Sequence, residues 1–202
     1  QERRLESGNG VAQQVALAIQ NERLKQEMVR SERLEREIQL ARQIQQTFLP
    51  SHLPNLPQWE LDVRWETARQ VGGDFYDIFK LGKSRLGLVI ADVSDKGLPA
   101  ALYMTVTRTL IRAYMHGTDS PGRVLERVNA LLLSESQNGM FVTAVYAILS
   151  LETGQLLYAN AGHNRPLMLH SETGEVEALP KGGMARGVID NVHYQYHSLT
   201  IA

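Results

Sequence analysis

Arg69-Gln-Val-Gly-Gly-Asp74-Phe-Tyr-Asp77 and, fifteen residues after Asp77, Ala91-Asp92-Val-Ser-Asp95-Lys-Gly97 are the two stretches that decide how this chain is read. Each is a turn that carries carboxylates beside glycine. The apolar run Leu88-Val-Ile-Ala91 leads straight into Asp92, so an acid stands where a strand leaves the core. Carboxylates converging at neighbouring strand ends make an oxygen-rich pocket suited to hard divalent cations such as Mg²⁺ or Mn²⁺. Arg69, five residues before Asp74, has the fork geometry to bind an anion held by those cations. Metal, arginine and water together point to phosphate-ester hydrolysis.

Plainer readings of the same residues are weighed beside this one. Gly72-Gly73-Asp74 alone reads as an Asx-type turn between strands. Asp92 reads as a helix N-cap, yet it lies too far before the helix at Pro99, where Asp95 or Gly97 serves better. Asp77 is either a support behind the metal ligands or a solvated strand residue, and Asp95 shapes its turn. Arg69 is otherwise an ordinary strand-edge arginine. His163, in Ala161-Gly-His-Asn-Arg-Pro166, reads as a residue that fixes its turn in preference to a general acid. Met140, Phe141, Val142, Val145, Tyr146 and Ile148 read as core, and Gly182-Gly183-Met184 as a loop or a flap near the site.

Working outward, residues 11–48 form one helical stretch without proline, with apolar residues at mixed spacings of three and four. Leu17, Leu24 and Ile38 keep a seven-residue register that Ser31 and Leu34 interrupt, as a stutter does. Such a helix extends roughly 57 Å. A parallel coiled coil joining two protomers is preferred over a helix packed on its own domain. Pro50, Pro54 and Pro57 end it. Beyond them Trp59-Glu-Leu-Asp-Val-Arg-Trp65 alternates as a half-buried strand. Asp74–Leu81 and Leu86–Ala91 form a hairpin around Gly82-Lys-Ser. Helices are predicted from Pro99 to His116 and from Ser120-Pro121 to about Ser136. Two further hairpins turn at Glu152-Thr-Gly154 and Glu172-Thr-Gly174, and a last strand runs from Tyr194 to Ile201. Strands, then helices, then strands give an α+β order with antiparallel sheets.

The chain has 202 residues, 43% hydrophobic and 21% charged, with a formal net charge of −1. These values place it among globular proteins without a field that draws nucleic acid or an anionic membrane. No apolar run approaches the roughly 20 residues of a membrane span, and no signal-peptide pattern opens the chain. A cytoplasmic location is the expectation. Cysteine is absent, which excludes disulfides, thiolate zinc sites and every cysteine nucleophile.

A family resemblance rests on five motifs between about Glu32 and Ala202. They are Ala41-Arg-Gln-Ile-Gln-Gln-Thr-Phe-Leu-Pro50, Ala68-Arg-Gln-Val-Gly-Gly-Asp-Phe-Tyr-Asp77, Ala91-Asp-Val-Ser-Asp-Lys-Gly97 with Pro99-Ala-Ala-Leu102, Phe141-Val-Thr143 and Ala161-Gly-His-Asn164. In this order the chain resembles the SpoIIE/RsbU-type branch of the PPM family, bacterial metal-dependent serine/threonine phosphatases related to the type 2C enzymes. The resemblance implies a PPM-type β-sandwich flanked by helices over residues 51–202, preceded by a linker helix over 1–50 whose first 24 residues resemble the end of a GAF sensor domain. It implies two or more Mn²⁺ or Mg²⁺ ions, with Asp74 in the first acidic motif, Asp92 as the bridging aspartate and the Val93 carbonyl as a backbone ligand. A metal-activated water would then hydrolyse phosphoserine or phosphothreonine. The implied substrate is a phosphorylated STAS-type anti-anti-sigma protein, within stress-response control of a sigma factor, and the implied assembly is a homodimer through the linker.

Arg69 matches the family's arginine by spacing, and the chain departs from the pattern in two further places. Ser94 stands where eukaryotic relatives carry a histidine. The family's later Thr-Asp-Gly motif and last metal-binding aspartate are not found before Ala202, so the expected domain is C-terminally incomplete and holds part of its metal site. The competing expectations are a catalytically inactive dimerising signalling module and a structural role for the coiled coil.

Overall fold

The computed structural model describes residues 2–67, 70–135, 139–180, 182–183 and 192–201. They divide into two compact units, Gln1–Ala41 and Arg42–Ala202. Helix α1 (Glu2–Phe48) is continuous and starts earlier than the apolar pattern predicts. Among the described residues 14–41 most of its large apolar side chains lie open, among them Leu17, Leu24, Met28 and Leu34, while Ile38 is half-buried. Its last turns belong to the second unit, where Gln45 and Leu49 are buried. Helix ends at Phe48 because Pro50 disfavours helical backbone at Leu49.

The second unit is built on one antiparallel sheet. In chain order come β1 (Phe75–Lys80), β2 (Arg85–Val93), α2 (Leu98–Tyr114), a 3-10 turn (Met115–Gly117), α3 (Pro121–Glu135), β3 (Val142–Ser150), β4 (Gln155–Ala161), β5 (Leu167–Leu169), β6 (Val176–Ala178) and β7 (Tyr196–Thr200). The five-stranded sheet has the order β1-β2-β3-β4-β7, and β5 and β6 form a separate two-stranded sheet. Period-two alternation gives the sheet two apolar faces. Phe75, Phe79, Val89, Ala91, Val93, Val142, Ala144, Tyr146 and Ile148 pack with Met104 and Ile111 of α2 and Val124 and Leu125 of α3. On the opposite face Val145, Ala147 and Tyr158 pack with Leu88, Leu156, Met168, Leu179 and Leu199.

The α+β order and all three hairpins agree with the sequence reading, and α2, α3 and the last strand follow it within two residues, whereas α1 begins nine residues before the expected start. Ser120 caps α3, accepting a hydrogen bond from the Arg123 N–H at 3.4 Å. One expectation changes. Residues Trp59–Trp65 form no strand. The segment carries one isolated bridge, Leu56 to Trp59, and is tied down by indole N–H groups, Trp59 to the Leu151 carbonyl and Trp65 to the Asp74 carbonyl. Alternation reports which side chains face a core, but a strand also needs a partner ladder. Of the expected sandwich, the described residues form one full sheet with helices on one face and the β5–β6 hairpin over part of the other.

One glycine shows how tightly this hairpin is built. A Cβ on Gly87 would run into the ring of its cross-strand partner Phe79, so that ring packs over bare backbone.

Candidate metal centre

Register brings the acids together. β1 and β2 pair with Phe75 opposite Ala91 and Tyr76 opposite Ile90. Continuing one step puts Asp74 opposite Asp92, on the face away from the helices. The next strand places Thr143 opposite Asp92, and the following register step leads into the Gly162-His163 turn after β4. Four chemistry-bearing side chains thus line up across one end of the sheet.

Asp74 and Asp92 are both exposed, yet their carboxyls face each other closely enough to share a hydrogen bond. Asp74 is pushed up from 3.8 to about 6, first by the protein that desolvates it, then by the hydrogen bond and negative charge of Asp92; the His163 ring opposes the shift. Two facing carboxylates repel unless a proton or a cation lies between them. That donor set of hard oxygens fits a divalent cation. Val93 closes β2 with its side chain buried toward the helices. Its carbonyl lies beside Gly73, where an added Cβ would come within 3.0 Å of that oxygen and 2.8 Å of the Val93 Cβ. Only glycine lets the first acidic turn approach the second this closely.

His163 enters the site from the other side. Its turn is fixed by Asn160, not by its own ring: the buried Asn160 Nδ2 donates to the His163 carbonyl at 3.0 Å, and the His163 N–H donates to Asn160 Oδ1 at 2.8 Å. The ring Nδ1 pairs with the Thr143 hydroxyl at 2.8 Å, and that hydroxyl is 3.4 Å from the Asp92 carbonyl. Burial lowers the His163 pKa, with the Asp74 charge working against it. The neutral ring is therefore favoured, oriented by Thr143.

Asp77 is not solvated, and its side chain lies on the opposite face of β1 from Asp74. It is 1% exposed on the helix face of β1. Arg112 of α2 grips it with two hydrogen bonds of 2.6 and 2.7 Å, and Arg108 pairs with it at 3.0 Å. Asp95 shapes its turn as expected, accepting from the Lys96 N–H at 2.7 Å with φ at +83°. Gly97, not an acid, is the N-cap position of α2. Arg69 and Met184 lie outside the described residues. Sequence reasoning missed Gln45, Trp65, Thr143 and Asn160, polar residues whose partners are distant in sequence or on backbone.

No group of three or more His, Cys, Asp or Glu side chains is arranged to hold a metal among the described residues. Nor is any helix among them long and apolar enough to cross a membrane. A groove of about 800 Å³ runs from the site along the open sheet face, past Trp65, Ile90, Ala147 and Tyr158.

An antiparallel sheet with two helices on one face and paired acids at one end of the other is a PP2C-type phosphatase fold. The PP2C domain of SiaA from Pseudomonas aeruginosa superposes with a TM-score of 0.71 at 22% identity, covering 85% of this chain and 69% of that one. The family model for stage II sporulation protein E (SpoIIE) matches residues 82–202, and the chain belongs to that family. Among curated relatives, Protein IcfG of Synechocystis sp. is 36% identical over 82% of this chain and 30% of its own length. The phosphoserine phosphatase RsbU of Bacillus subtilis is 28% identical over 79% of this chain and 47% of its own. The chain thus spans less than half of either relative.

Proposed function

We propose that this chain carries the linker and part of the catalytic domain of a metal-dependent protein serine/threonine phosphatase. The observation that carries this reading is the register-imposed facing of Asp74 and Asp92 at one sheet end. The SpoIIE family match and the likeness to RsbU support it. Asp74, Asp92 and the Val93 carbonyl would hold Mn²⁺ or Mg²⁺, two or more ions in a complete site. Bound there, such ions lower the pKa of water toward neutrality and offset charge on the phosphoryl oxygens. Thr143 orients the neutral His163 ring at the edge of the site, and Arg69 binds the phosphate. The substrate is phosphoserine or phosphothreonine on a regulatory protein of the STAS type, in the cytoplasm, and α1 joins two protomers.

Phosphate release from a phosphoserine STAS-type protein, measured against Mn²⁺ concentration, tests the reading. Turnover that depends on Mn²⁺ and falls to background in Asp92→Asn is expected. A second reading, a non-catalytic dimerising module, draws on the lack of a three-ligand cluster among the described residues. It takes over if the intact protein binds its phosphoprotein but Mn²⁺ gives no turnover.

A further inference from the structure

Gln45 is buried to 3% exposure in the last turns of α1, yet it touches the first acidic turn with both ends of its amide. Its Nε2 donates to the Gly72 carbonyl at 2.5 Å, and the Gly72 N–H donates to its Oε1 at 3.3 Å. One side chain thus holds donor and acceptor of a single residue, two positions before Asp74. On the far side the Trp65 indole N–H donates to the Asp74 carbonyl at 3.0 Å. Between these tethers lies Gly73, pressed against Val93.

We infer that Gln45 is a positioning residue for the Asp74 carboxylate, acting through the Gly72 backbone; this rests on the phosphatase reading above. Two consecutive glycines have wide backbone freedom, so Gly72-Gly73 would by itself let Asp74 wander. A ligand displaced by about 1 Å is a failed ligand. Only a carboxamide of this length supplies both a donor and an acceptor to one residue. Ionised glutamate lacks the donor, methionine lacks the donor and offers only a weak thioether acceptor, and asparagine is one methylene short.

The test is Mn²⁺ binding to the intact protein, read from the electron paramagnetic resonance of free Mn²⁺, alongside thermal unfolding by circular dichroism. Gln45→Met keeps the volume and removes both hydrogen bonds. A rise of about tenfold in the Mn²⁺ dissociation constant is expected, with phosphate release recovering as Mn²⁺ approaches saturation. Trp65→Phe, which cuts the second tether, should move the constant in the same direction. If Gln45→Met lowers only the melting temperature and binds Mn²⁺ like the wild type, Gln45 is a mere helix anchor and the inference is wrong. Should that variant not fold, Gln45→Glu, which retains length and acceptor, is judged by the same criterion. Asp92→Asn separates the two levels. If it binds Mn²⁺ as well as the wild type, or the wild type binds none, the metal-centre reading falls and Gln45's role falls with it. If Asp92→Asn alone loses the metal, only the Gln45 inference fails.

Discussion

Asp74 makes the metal-free protein sensitive to pH in an unusual direction. Its folded pKa, about 6, lies above the roughly 3.9 of an aspartate in an unfolded chain. Between those values the folded state binds more protons than the unfolded one, so stability falls as pH rises from about 4 to about 6 and levels off above. Without metal, the urea midpoint should be higher at pH 4.5 than at pH 7 in the wild type, with that difference reduced in Asp74→Asn. A midpoint that rises over that interval by the same amount in both would contradict the carboxylate pairing. Under the proposed function Mn²⁺ should reverse the trend: a proton and a cation would compete for Asp74, so metal binding should strengthen as pH rises through 6. Asp92 was legible because an aspartate directly after an apolar run has few structural uses, and Asp74 only because Gly72-Gly73 before it suggests a tight turn beside a ligand. The His163 environment was not, since Asn160 and Thr143 act through backbone and ring contacts that no spacing rule encodes.

Elements are locked together by groups that the sequence shows only as ordinary residues. Asp77 ties β1 to α2, the helix that begins just after the second acidic turn. Arg112 also stacks 5.6 Å from the Phe79 ring centre, so the helix is held by charge and by aromatic contact. Asp77→Ala leaves two arginines facing each other without their anion. A loss of about 3 kcal/mol is expected from breaking a buried pair on one side, measurable by denaturant unfolding, with Arg112→Ala costing less because Arg112 reaches solvent. A loss under about 0.5 kcal/mol, the range of an ordinary surface change, would show the cluster to be incidental. Local pattern made Asp77 a strand residue correctly but gave no hint of this pairing, because Arg112 lies 35 residues further on. Trp59–Trp65 failed for a related reason: its alternation is real, but its backbone has no ladder partner among the described residues.

At the scale of the whole molecule, α1 carries the clearest unfinished surface. Leu17, Leu24, Met28 and Leu34 are each more than half exposed in the unit of residues 1–41. An isolated helix draws little stability from propensity alone, so under the proposed dimer these exposed side chains should meet a partner helix. Sedimentation velocity should find a dimer at micromolar concentration, shifted to monomer by Leu17→Lys with Leu24→Lys. An unchanged monomer in the wild type would remove the coiled coil from the proposal. The sequence by itself determined the helices, the hairpins, the α+β order and the two acidic turns, because periodicity, caps and glycine turns are local properties of the backbone. Only tertiary structure decided that Asp74 meets Asp92 across a register, that Thr143 orients the His163 ring and that Gln45 holds Gly72. Each of those depends on strands and helices distant in the chain, whose pairing is set by burial of whole faces and not by any neighbouring residue.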